Sequence, residues 1–483
     1  MTDRPDAAPL FRPLGLVIAL CLAIIVCWPM YVSGGIFYFF DSSTYFVDGK
    51  TIWTKLTGAL LPAAETVATV GDGAGPAATE DVVVEDVGGS TVIRSFIYSV
   101  FSYVTLTLAG PLGIGIAQAT LVIFSFFALI EKQVLASPRV LIAGALGVAA
   151  LTTLPWYSVY LMPDIFGSII LVFGAVLVTH FNDLSWPKKL VLTVLAALAT
   201  ATHYGNMPLM AGVGGFALLW LLWTRRLTFA AILAVAFATA FSPAVNIAGS
   251  SMFLKTTSAA PMRLPILLAR SLTDGPALWY LQRECGSVDF AMCEAFGDDI
   301  PESIGDLLWD EDGVDSLSAE VRQRIREEEL ALLGQVFLDY PFAQTKSLLG
   351  NSVLQLVRVG TDDIDYARGV TDELEIDPAP ASEQFRLGDR GEPVLLAVAA
   401  ASFLALLALL VTGRMSATQR AMFYVICVGL LVNAAIFGGL SAPVDRYQGR
   451  VMWLVPAFLV LVLARLSSEP VSSGAVRQPR PGT

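Results

Sequence analysis

Few residues of this chain combine a reactive type with an apolar setting: the acids Asp41 and Asp164, and the basic side chains Arg94, His203, Arg446 and Arg450. The tyrosines Tyr45, Tyr98, Tyr204 and Tyr447 stand within four residues of them. All lie at or beside the ends of long apolar runs. Asp41 follows Gly34-Gly35-Ile-Phe-Tyr-Phe-Phe, where glycine loosens a helix end and aromatic rings suit the lipid headgroup level. Asp41 or Ser42 can cap a helix in which Tyr45, Ile52, Trp53, Leu56 and Leu60 share one face, and such a helix lies along a membrane rather than across it. The acid is therefore either a cap or a proton acceptor. Asp164, in Tyr160-Leu-Met-Pro163-Asp164-Ile-Phe, opens another apolar run, where an acid also meets the positive end of a helix. Holding it at the bilayer centre would cost roughly 3 kcal/mol, which places it at the rim or in a wet cavity. His203 closes a run in Ala-Thr-His203-Tyr204-Gly, a position that equally suits a helix-end hydrogen bonder.

Arg94 and Tyr98 are four residues apart and share a helix face, as do Arg446 and Arg450. A structural reading pairs them within the bundle, for instance Arg94 with Asp445. A functional reading gives them a phosphate, because guanidinium forks bind phosphate oxygens bidentately and more strongly as water is excluded.

The elements that must position these residues are membrane helices. The chain has 483 residues, 55% hydrophobic and 15% charged. Its apolar runs approach the roughly 20 residues needed to cross a bilayer, and they are continuous rather than alternating, which excludes a β-barrel. The fold class is an all-α polytopic membrane protein. About ten spans are expected, near 14–32, 112–130, 139–156, 163–180, 190–204, 207–224, 228–246, 393–412, 420–439 and 450–466. The first is too long for a signal-peptide core and lacks a small-residue cleavage site, so it reads as an uncleaved anchor. Residues 95–108 read as a surface or re-entrant helix broken at Gly110-Pro111. The short links carry Lys132 and Arg139, Lys188 and Lys189, Arg225 and Arg226, and Arg414 and Arg420. With Arg4 and Arg12 in front and Arg465, Arg477 and Arg480 behind, every second link is basic, which places both termini in the cytoplasm.

Four regions follow: an N-terminal bundle over 1–249 with its first outer loop at 33–93, an outer domain over 250–392, C-terminal helices over 393–466, and a disordered tail over 467–483. The outer domain carries more negative charge than the whole chain, whose net charge is −12. Its helical stretches at 330–338 and 348–357, with Trp279, Trp309 and Tyr340, suit a small fold on the bundle. The acid clusters lack EF-hand spacing and read as a solvated face. No metal site is expected, and a divalent cation is left open as a cofactor. Cys285 and Cys293 have no Cys-x-x-Cys pair and no nearby histidine, so an outer disulfide is expected. Cys21, Cys27 and Cys427 lie inside apolar spans and read as packing residues. No basic patch with interleaved aromatics supports nucleic-acid binding. No Gly-rich phosphate loop, Ser/His/Asp pattern or His-Glu-x-x-His motif occurs.

Asp41-Ser-x-x-Tyr45 after the first span, Arg94-x-x-x-Tyr98 before the second, Pro163-Asp164-Ile-Phe opening a span, and Asp445-Arg446-Tyr447 leading into Val455-Pro456-Ala-Phe-Leu resemble, in that order, polytopic glycosyltransferases of the GT-C class. The resemblance implies transfer of a sugar from a polyprenyl-phosphate donor to a glycan, lipid or protein acceptor at the outer face of a membrane, fitting a bacterial inner membrane. It implies Asp41 as general base with Asp164 as a second catalytic acid. Arg94, His203, Arg446 and Arg450 would hold the donor phosphate, and Tyr45, Tyr98, Tyr204 and Tyr447 would line the donor or acceptor pocket. Ser42 stands where the common family form has a second acid beside the first. Two other classes remain open. A transporter or lipid flippase also uses intramembrane acids and arginines, although no inverted repeat or matching pair of interrupted spans is found. A membrane assembly scaffold would bind through the acidic domain alone.

Overall fold

The computed structural model describes residues 11–60, 94–131, 137–253 and 264–467. The tract at 70–89, Lys132 and the residues after 467 lie outside them. The architecture is an all-α membrane protein with one small sheet. Among the described residues, seven helices are long and apolar enough to cross a membrane: Pro13–Ser33, Phe96–Ile130, Asn206–Trp223, Phe229–Phe253, Gly391–Val411, Ala417–Gly439 and Asp445–Leu466. The three remaining apolar runs form the shorter helices Pro138–Leu151, Gly167–Thr179 and Trp186–Ala201, of 14, 13 and 16 residues. Gly167–Thr179 is buried from Gly167 to Val178 and packs against helices on several sides, so it forms the centre of the bundle. A helix enclosed by protein has no lipid thickness to match, which accounts for its modest length.

Phe96–Ile130 comprises two helices joined across a kink at Gly110, whose φ of 68° lies in the left-handed region and whose ψ of −175° is not helical. Glycine adopts that conformation without a Cβ clash, and Pro111 lacks the N–H that would continue the ladder. The expected break thus falls at Gly110, between two helical parts.

The sheet is absent from an all-helical reading. Its strands are β1 (Ile36–Tyr38), β2 (Asp365–Val370) and β3 (Ile376–Pro378), antiparallel in the order β1-β2-β3. Ile36 pairs with Ala367 and Tyr38 with Asp365. A strand of three residues is too short to show a period of two. A Cβ on Gly35 would lie 2.4 Å from the Tyr366 ring, and the Tyr366 hydroxyl donates to the Ser33 carbonyl at 2.9 Å. The sheet thus fixes the chain between the first span and Asp41.

The described residues form two cores. The larger runs through the bundle and takes in Ile364, Tyr366, Ala367 and Ala379 of the long insertion. The smaller joins Leu268, Leu272, Leu281, Met292, Leu308 and Leu332. Cys285 and Cys293 form a disulfide beside it, with Cα atoms 5.2 Å apart. Glu329 of the acidic run is not solvated. It is buried, and it accepts the N–H groups of Leu267 and Leu268 at 3.0 and 3.1 Å at the start of the Ile266–Asp274 helix.

Candidate functional site

The Asp41–Leu60 helix lies flat against Phe96–Ile130 because Gly49 allows it: a Cβ there would sit 2.1 Å from the Ser99 carbonyl oxygen. This contact brings Asp41 to Arg94, and the two form an ion pair. Asp41 does not cap its helix; its carboxylate is engaged by the guanidinium. Ser42 is no cap either, since its hydroxyl accepts the Phe39 N–H at 3.1 Å and donates to the Leu161 carbonyl at 2.9 Å. Arg94 also reaches a second acid, for its backbone N–H bonds the Asp48 carboxylate. Asp41 and Asp48 are two helical turns apart on one face. Burial raises the pKa of Asp41, with Arg94 and then Arg446 pulling against it. Burial likewise pushes Asp48 up to about 6, again opposed by Arg94.

Arg446 and Arg450 come from one face of the Asp445–Met452 helix. Arg446 is anchored by its backbone N–H, which donates to Asp363 at 3.0 Å. Its guanidinium lies 4.0 Å over the Phe39 ring, two residues from Asp41, and Nη2 donates to the Tyr447 hydroxyl at 3.0 Å. Arg450 is wholly buried, 4.0 Å over the Phe437 ring, with Nη2 donating to Asn433 at 2.9 Å. Its Nη1 lies 3.9 Å from Asp164, outside hydrogen-bond range. Gly167 leaves this guanidinium its room, since a Cβ there would lie 3.3 Å from it. Tyr447 and His203 flank the same Phe437 ring at 4.6 and 5.9 Å, and His203 Nδ1 accepts the Gly205 N–H at 3.1 Å.

The expected residues thus fall into two connected groups. Asp41, Arg94 and Arg446 gather around the start of the Asp41–Leu60 helix, while Asp164, Arg450, Tyr447 and His203 gather around Phe437. Tyr45 and Tyr98 pack edge to face at 4.8 Å, both buried, and the Tyr98 hydroxyl lies 3.0 Å from Gln118 as a donor. Tyr204 is exposed. The expected pair of Arg94 with Asp445 does not form: Arg94 takes Asp41, whereas Asp445 lies 3.9 Å from Arg358. Asp48, Asp363, Asn433 and Phe437 belong to the site but escape the sequence reading. Only Asp48 carried a legible signal, its seven-residue distance from Asp41.

Several buried atoms here have no hydrogen-bond partner: both Asp164 oxygens, Arg450 Nε and Nη1, Arg446 Nη1 and Arg94 Nε. Buried polar groups are ordinarily satisfied, and leaving one unmet costs about 1–3 kcal/mol. Four guanidinium nitrogens on three arginines are thus left without acceptors. For a cation, Asp362, Glu392 and Asp445 bring one carboxylate oxygen each within 4.8 Å of one another, an arrangement their sequence spacing does not announce. Glu392 accepts both the N–H and the hydroxyl of Thr361, at 2.8 and 2.7 Å. A cavity of about 130 Å³ lined by Phe37, Trp156, Asp362 and Glu392 adjoins this trio. A wider groove of about 650 Å³ opens between Tyr31, Gly34, Leu106, Gly110 and Arg368. The four basic site residues line neither.

Comparison with protein-family models, with curated proteins and with solved structures finds no match for this chain.

Proposed function

We propose that the chain is a GT-C-like membrane glycosyltransferase, moving a sugar from a polyprenyl-phosphate donor to an acceptor at the extracytoplasmic face. In this reading all ten apolar helices traverse the bundle, both termini are cytoplasmic, and Asp41 faces outward, as the basic links support. The observation that carries the proposal is the set of buried arginine nitrogens without acceptors, beside a buried carboxylate whose pKa is raised. Arg450 and Arg446 hold the donor phosphate and stabilise the charge that grows as the sugar leaves. Arg94 turns from Asp41 to the incoming anion, which frees Asp41 to take the acceptor proton. Asp164 keeps Arg450 oriented between Phe437 and the phosphate.

The test is transfer of label from a panel of radiolabelled polyprenyl-phosphate sugars by the purified chain in vesicles. Release or transfer of sugar from one donor, lost in Asp41→Asn, supports the reading. Movement of an unaltered lipid-linked sugar across the vesicle membrane would replace it with a flippase, and binding without turnover would leave a scaffold.

A further inference from the structure

The Pro341–Val357 helix is amphipathic the wrong way round for a soluble domain. Its polar side chains face protein. Gln344 accepts from the Ser271 hydroxyl at 2.9 Å, and Asn351 donates to Asp274 at 3.0 Å. Gln355 is wholly buried and clamps the Val444 backbone, donating to its carbonyl at 2.8 Å and accepting its N–H at 3.0 Å. The opposite face carries Phe342, Leu349, Val353 and Val357, spaced by helical turns, with Phe342 90% and Val353 66% exposed. A water-facing helix places these two sets the other way, and a contiguous apolar stripe marks a covered surface.

What covers it follows from where the helix is docked. Its inner face rests on Gly438 and Gly439, the last residues of the Ala417–Gly439 span, where a Cβ on Gly438 would lie 2.4 Å from Gln355. Its clamp holds Val444, one residue before the Asp445–Leu466 span. The helix therefore lies at the depth where two membrane spans end, and its stripe continues their lipid-facing surface. Lys346 is the one charged residue in Pro341–Val357, on a stem long enough to reach water from the interface. Tyr340, just before the helix, packs edge to face with Trp279 at 5.6 Å and accepts from Arg283 at 3.0 Å, the residue types of a headgroup-level girdle.

We propose that Pro341–Val357 is an interfacial membrane helix, with Phe342, Leu349, Val353 and Val357 immersed among lipid acyl chains. It anchors the acidic domain to the bilayer. The proposal does not depend on the glycosyltransferase reading.

The experiment uses the full chain in phosphatidylcholine vesicles, with Cys21, Cys27 and Cys427 replaced by alanine and the Cys285–Cys293 disulfide kept. A bimane fluorophore is placed on Leu349→Cys or Val353→Cys. Leu404→Cys, on the exposed side of the Gly391–Val411 span, is the lipid control, and Gln323→Cys in the charged part of Ala319–Asp339 is the water control. Lipids brominated on the acyl chains should quench positions 349 and 353 as strongly as 404, and aqueous iodide should leave them unquenched. Quenching by iodide as at 323 would overturn the proposal, since the face would be in water. Protection from both quenchers would overturn it too, because a second copy or another protein would then cover the stripe.

Discussion

Arg450 and Asp164 face each other at 3.9 Å in the centre of the bundle, both buried and without a hydrogen bond between them. The separation is too long for a closed pair, and it leaves polar atoms of both groups for a third partner. Removing one charge still strands the other. Arg450→Gln is expected to destabilise the protein by about 3–5 kcal/mol, the usual cost of breaking a buried pair. Combining Arg450→Met with Asp164→Leu should restore most of that stability without restoring sugar transfer. Thermal unfolding and the transfer assay on the same preparations separate the two effects. A double variant that regains activity would remove these residues from the donor site.

Asp41→Asn keeps size and hydrogen bonding but cannot accept the proton. Turnover should fall by about 10²–10⁴-fold, the usual worth of a general base. Donor binding should change little. An Asp41 that served only as the partner of Arg94 would instead lose activity in step with thermal stability, so both are measured on the same preparation.

Asp48 offers a pH test. Its folded pKa of about 6 lies above the ordinary carboxyl value of about 3.9, so folding favours the protonated form. That contribution is fully present below the ordinary value and is lost as pH rises through about 6. Asp48→Asn mimics the neutral acid. Its unfolding temperature should match the parent at low pH and exceed it at pH 8, and equal shifts at both pH values would show that Asp48 does not titrate in this range.

Reduction of Cys285–Cys293 releases a short loop beside the second core. On the chain-entropy account this costs about 2–3 kcal/mol. Limited proteolysis with and without reductant should show new cleavage within 264–340, while the bundle remains protected.

Gly49→Ala places a methyl group against the Ser99 carbonyl. Overpacking of that kind costs about 1–3 kcal/mol, and here it also pushes Asp41 and Asp48 away from Arg94. Activity should fall further than stability accounts for. Gly58→Ala, where nothing lies within 4 Å, is the control and should keep full activity with equal or slightly greater stability.

The membrane helices were legible because they are local: a run of apolar residues announces itself without knowledge of what it touches. The helix from Asp41 and the break at Gly110-Pro111 were legible for the same reason, through the apolar face of the one and the breaker of the other. The partners were not. Nothing near Arg94 distinguishes Asp41 from Asp445 as its counterion, and the choice is made by Gly49 drawing two helices together. Phe437 and Asn433 read as ordinary span residues until Arg450 is laid across one and donates to the other. The inverted face of Pro341–Val357 was hidden too, since a helical period does not say which side meets protein.

The pairing of β1 with β2 joins Ile36 to Ala367. The first span enters the membrane early in synthesis, and Phe37 can meet Tyr160 and Leu161 once they are made, yet β2 does not exist until the chain has grown past Val370. Closing so long a loop is slow, and until it closes the side of β1 that takes β2 stays open to other chains. The loop that carries the acid therefore cannot take its finished shape until most of the polypeptide has been made. A chain cut short before residue 365 would keep its first helices and lack the fixed approach to Asp41.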